Sequence, residues 1–196
     1  MRFEGASGCE ALVSRTERNI KRIEVVGREF VVPVLNEWRY ATRHVLTAVA
    51  RDGDREASDA EWRKAVSHVK RAYFDSCDIL LTCNLARAKE ILDECAGYRS
   101  LVAQIVPEYP SLRAKILAAQ KASLENDAVT ADEKEARFES LDPVLADLSD
   151  AVLKLSASHD ELQEEVRKAV RRDRIALWGL VATVVGIAVG IVTAMV

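Results

Sequence analysis

The sequence predicts an all-α fold: a cytoplasmic helical bundle whose long, heptad-patterned C-terminal helix continues into a single transmembrane helix. Three observations predict it. Gly and Pro number only 8 and 4 among 196 residues, while Ala, Arg, Leu, Glu and Val dominate, a mixture that favours helix over strand. Apolar residues recur at three- and four-residue intervals through most of the chain, and no alternating strand pattern stands out. The last 22 residues, 175–196, carry no charge.

The elements follow in order. Ser14 to Val32 is charged, with apolar Ile20, Ile23, Val26 and Phe30, and reads as an amphipathic helix that Pro33 kinks or restarts. Val34 to Arg51 continues helically, with Leu35, Trp38, Val45 and Val49 as a candidate buried stripe, until Asp52-Gly53-Asp54 signals a turn. Ser58-Asp59-Ala60-Glu61 reads as a capping box opening a long helix to Cys95, closed by Gly97. Its stripe is Trp62, Val66, Val69, Tyr73, Cys77, Leu80 and Asn84. Pro107 and Pro110 bracket a break before a helix at Leu112 to Leu124. Thr130-Ala131-Asp132-Glu133 caps a short helix, and Asp142-Pro143 signals a new start. From there Leu145, Leu148, Val152, Leu155, His159, Leu162, Val166 and Ala169 form a heptad seam of about four heptads. One helix of about 50 residues, part stalk and part anchor, is expected from Pro143 onward. The expected division is 1–130 as a cytoplasmic helical domain, 131–174 as a stalk and 175–196 as the membrane helix.

At 1.5 Å per residue the uncharged segment spans about 33 Å, enough to cross a bilayer's hydrocarbon. Arg167, Lys168, Arg171, Arg172 and Arg174 crowd its N-terminal flank, so the positive-inside rule places the first 174 residues in the cytoplasm. The expected layout is tail-anchored and single-pass in a bacterial inner membrane, with the C-terminus outside. Ala182, Gly186, Gly190 and Ala194 recur every four residues, a small-residue face suited to helix association in lipid, and Thr183 and Thr193 add hydroxyls. Membrane lipid and further copies of the chain are the expected partners.

A net charge of -3 argues against a general nucleic-acid binder. Met1 to Ala6 has no apolar signal-peptide core. Cys9, Cys77, Cys83 and Cys95 follow no metal-binding spacing and read as reduced core thiols, so neither metal nor cofactor is expected. His159 sits in the heptad seam as a polar layer.

Arg39 precedes His44 by five residues, and Arg63 precedes His68 by five. On these two R-x4-H pairs the segment from Val34 to Gly97 resembles the HEPN superfamily, helical dimers whose R-x4-H motif cleaves RNA. The resemblance implies that His44 or His68 assists proton transfer at a ribose hydroxyl while Arg39 or Arg63 stabilises phosphate charge. Tyr40 and Lys64 stand where HEPN nucleases have Asn, His or Asp after the Arg. The whole layout also resembles membrane-anchored effectors of prokaryotic antiviral defence, the accessory pore proteins of type VI CRISPR loci and Hailong-type transmembrane effectors. That resemblance implies a membrane-permeabilising role, triggered by a nucleotide or oligonucleotide signal, a partner nuclease or a nucleotidyltransferase. A membrane-tethered ribonuclease and a non-conducting coiled-coil tether are the alternatives.

Overall fold

The computed structural model describes residues 6–27, 31–124 and 131–194, with side chains over 9–27, 31–124, 133–134 and 136–187. The described residues form seven helices and no strand: α1 (Ala6–Gly27), α2 (Val32–Ala50), α3 (Arg55–Glu94), α4 (Arg99–Ile105), α5 (Tyr109–Leu124), α6 (Ala131–Ala157) and α7 (His159–Ala194). The expected all-α class is what the structure shows.

α3 is the spine. Its 40 residues extend about 60 Å, and α1, α2, α5 and α6 all pack on it. Asp54 caps its N-terminus, Oδ1 accepting from the Ala57 amide at 3.1 Å. The expected capping box at Ser58 and Glu61 does not form, because Asp54 starts the helix a turn earlier. Ser58 instead donates to the Ala48 carbonyl at 2.9 Å and fastens α3 to the end of α2. Beyond α3, Gly97 takes φ +89, a conformation that side chains with a Cβ rarely adopt.

The core lies along the C-terminal half of α3, where Tyr73, Cys77, Leu80, Ala88 and Ile91 are buried. Trp62, Val66 and Val69 of the expected stripe are only half-buried. Small and polar residues, Ser58, Glu61 and Ala65, take the buried positions there, because α2 approaches closely. α1 begins earlier than expected and closes on α3 at Gly27, where an added Cβ would stand 3.3 Å from Cys83 Sγ. Two buried amides join the layers. Asn19 Nδ2 reaches Ser76 Oγ at 3.1 Å from α1, and Asn84 Nδ2 reaches Ser149 Oγ on α6 at 3.1 Å.

Pro143 does not start a helix; it lies inside α6. Asp142 is a tertiary acceptor rather than a cap. Its Oδ1 takes the Tyr73 hydroxyl at 2.9 Å and its Oδ2 pairs with Arg15 Nε at 3.3 Å. Phe138 stacks on Phe74 with ring centroids 4.4 Å apart, so the turn before the proline is already pinned to α3.

The expected continuous 50-residue helix is interrupted at Ser158, where α6 ends and α7 begins. The heptad seam is used within the chain. Leu145, Leu148, Val152, Leu155 and Leu162 belong to the same core cluster as Tyr73 and Leu80. His159 opens α7 with Nε2 2.7 Å from Glu94 and Nδ1 3.5 Å from Arg87 Nη2, joining α7 to the end of α3. Among the described residues no helix is long and apolar enough to cross a membrane. The described side chains of the expected span stop at Ile187, so Gly190, Thr193 and Ala194 lie outside them.

Leu148→Ala should lower unfolding stability by about 2–5 kcal/mol, as for other fully buried leucines. Leu153→Ala, on the exposed side of the same helix, should stay within about 0.5 kcal/mol of wild type. Urea titration followed by circular dichroism checks both; equal losses would mean that the seam packs differently.

Candidate functional site

α2 and α3 carry the same octet. Glu37-Trp38-Arg39-Tyr40-Ala41-Thr42-Arg43-His44 and Glu61-Trp62-Arg63-Lys64-Ala65-Val66-Ser67-His68 share E-W-R-x-A-x-x-H. Seven residues are two helical turns, so Glu and His share one face of each helix. Two like segments packed antiparallel acquire a local pseudo-two-fold axis, and each carboxylate then meets the histidine of the opposite helix. Ala41 and Ala65, buried at equivalent positions, leave room for the close approach.

The result is a doubled dyad. His44 Nδ1 lies 2.6 Å from Glu61 Oε2, and His68 Nδ1 lies 2.6 Å from Glu37 Oε2. The imidazole rings stack across the axis with centroids 5.2 Å apart and planes 11° from parallel. Tyr40 flanks the stack, its ring centroid 5.4 Å from that of His68. A carboxylate can only accept, so each Nδ1 carries the hydrogen of its bond and each Nε2 is left facing away from the carboxylate. Both rings are half-buried and remain within reach of solvent.

The cations are distributed unevenly. Lys64 Nζ binds Glu61 Oε1 at 2.7 Å. With the His44 bond, this holds the Glu61 carboxyl down at about 2, well below its ordinary 4.5. Arg39 lies over the Tyr40 ring, 5.2 Å from its centroid, at the edge of the site. Arg63 is exposed on α3, and its neighbour Lys64 supplies the cation on that side.

The two histidines of the R-x4-H pairs are therefore brought together, while their arginines point outward. Glu37, Glu61, Tyr40 and Lys64 are site residues that the R-x4-H spacing leaves out. The repeated octet is the signal that would have found the two glutamates. Among the described residues no group of three or more His, Cys, Asp or Glu side chains could hold a metal ion. Burial pushes the Cys77 thiol up to about 12, so it is a packed thiol rather than a nucleophile.

A second feature stands at the other end of the molecule. Beyond Ala169 α7 is tied to the bundle by the Tyr98 hydroxyl, which donates to Asp173 Oδ2 at 2.9 Å, while every described residue from Val170 to Ile187 is exposed. Trp178 is 67% exposed and Ile175 71%, and a Cβ at Gly186 would meet nothing within 4 Å. The Thr183 hydroxyl donates to the Gly179 carbonyl at 2.8 Å, within its own helix. Of the flanking cations, Lys168 is tied to Glu164 and Glu165 at 2.8 and 2.7 Å, which raises its pKa. Arg167, Arg171, Arg172 and Arg174 are exposed.

No family model, curated protein or solved structure matches this chain.

Because folding depresses the Glu61 pKa, its contribution to stability is complete above about pH 4.5 and is lost as pH falls towards about 2. Glu61→Gln should therefore lower the urea midpoint at neutral pH and flatten its decline over that acid window. An acid limb as steep as wild type would contradict the assignment.

Proposed function

We propose that this protein is a membrane-inserted helical effector, with its bundle on the cytoplasmic face and the apolar half of α7 in lipid. The observation that carries the reading is the bare apolar surface of α7 from Ile175 to Ile187, exposed throughout among the described residues. Soluble proteins rarely leave so contiguous an apolar surface in water, and lipid is the environment that suits a helix apolar all round. The exposed arginines at its root suit the headgroup layer, and Trp178 lies within one turn of them. In this reading, copies associate through Ala182, Gly186, Gly190 and Ala194, and Thr183 and Thr193 line the path that opens. A ring of uncharged helices conducts when widened and is dry when narrow. The His159–Glu94 contact links α7 to the spine, so a rearrangement at α3 reaches the anchor. The resemblance to defence effectors suggests a use in antiphage defence, with a nucleotide or a partner enzyme as trigger.

Two measurements test this. Deleting 175–196 should move the chain from the carbonate-resistant membrane pellet to the supernatant. Gly186→Leu or Gly190→Leu should keep the membrane fraction and the helical spectrum but abolish dye leakage from reconstituted vesicles. Leakage at the wild-type rate in both glycine variants would refute the conducting bundle.

The doubled dyad favours a second reading, a membrane-tethered ribonuclease. Two histidines, each oriented through Nδ1 by a carboxylate, are equipped as general base and general acid for attack of a ribose 2′-hydroxyl on the adjacent phosphate. Lys64 and Arg39 lie at the edges of the pair, where they would offset charge on the phosphate. Under this reading His44→Ala and His68→Ala should each lower the rate about 100-fold, the usual contribution of a general acid or base. Unchanged RNA cleavage in the double variant excludes it.

A further inference from the structure

The doubled octet supplies an internal comparison. Adding 24 to a residue number in α2 gives its counterpart in α3, so the outer faces of the two helices can be set side by side. They differ in what covers them. On α3, Tyr73 is 1% exposed, enclosed by Arg15 of α1 and Phe138 of α6. Its counterpart on α2, Val49, is 62% exposed. α2 packs against α3 on one side, and its outer side is open.

That side has a period. Val32, Leu35, Arg39, Thr42, Leu46 and Val49 succeed one another at alternating steps of three and four, the seam that receives a partner helix. All six are exposed, Leu46 at 65%. A shallow groove of about 690 Å³ lies along its C-terminal part, lined by Arg39, Arg43 and Arg51 beside Thr42 and Leu46 and by no acidic side chain.

We infer that the outer face of α2 is a docking site for an amphipathic helix of a partner protein, apolar along its seam and acidic on its flanks. Charge complementarity selects this occupant. A second copy of the chain would set Arg39 and Arg43 of one α2 against the same residues of the other, which like-charge repulsion opposes. A nucleic-acid backbone would satisfy the arginines but leave the four apolar seam residues without partners. An acidic amphipathic helix satisfies both. The inference does not depend on membrane insertion or on catalysis by the histidines.

The test uses the full chain in neutral detergent and two labelled peptides of three heptads, both with leucine at the a and d positions. One carries glutamate at e and g, the other lysine. Fluorescence anisotropy should show saturable binding of the glutamate peptide, with the lysine peptide about tenfold weaker or worse, the cost of reversing one good charge contact. Arg39→Glu with Arg43→Glu should invert that preference, which a nonspecific apolar contact would not do. Leu46→Asp should weaken the glutamate peptide by about tenfold or more while leaving the far-ultraviolet spectrum intact. No saturable binding, or equal affinity for both peptides, overturns the proposal. So does a wild-type oligomer that Leu46→Asp dissociates, since a second copy would then occupy the face. Binding of a single-stranded oligonucleotide that needs the arginines but not Leu46 overturns it too.

Discussion

A 40-residue helix standing about 60 Å tall cannot be covered by any single neighbour of ordinary length. α3 imposes that constraint on the rest of the molecule, and the other helices divide its surface. α2 takes the N-terminal half in antiparallel contact, α1 crosses the middle, and α5 and α6 close the C-terminal half. The chemistry of the contacts changes along the way. Alanine, serine and glutamate serve where α2 approaches closely, and leucine, isoleucine and aromatic rings serve where the layers are thicker. The polar site and the apolar core therefore occupy opposite halves of one helix.

Putting small residues at the α2–α3 crossing has an energetic consequence. Alanines bury little apolar area, so this half of the structure gains less from the hydrophobic effect than the half around Leu80 and Leu148. Charge-assisted hydrogen bonds replace part of that contribution. Two of them, His44 to Glu61 and His68 to Glu37, together with the neutral Ser58–Ala48 bond, hold the two helices in one register, and Lys64 reinforces Glu61 from within α3. A slip of one residue would separate every pair at once. The stacked histidines are held in place by the same bonds that align the helices, so site geometry and hairpin stability are linked.

α7 presents the opposite situation. Its first turns are anchored by Leu162, Ala169 and the His159–Glu94 bond, a charged turn from Arg171 to Arg174 follows, and from Ile175 to Ile187 the described side chains are uncharged and almost all apolar. A surface of that kind is stable only in the company of lipid or of other helices. The break at Ser158 separates it from the seam of α6.

By itself the sequence determined the all-α class, the turn between α2 and α3 and the end of α3 before Gly97, because glycine, proline and apolar spacing act locally. It also determined which residues belong to the uncharged segment with its basic root. The R-x4-H spacing pointed to both histidines. The tertiary structure decided what periodicity cannot express. A heptad looks the same whether it faces a second chain or its own, and only packing showed that Leu145, Leu148 and Leu155 face α3 and α5. Asp142-Pro143 and Ser58–Glu61 carry local cap chemistry, yet contacts with Tyr73, Arg15, Ala48 and His44 claimed those side chains first. The pairing of His44 with Glu61 and of His68 with Glu37 follows from an antiparallel crossing, a relation between two helices that no single helix contains.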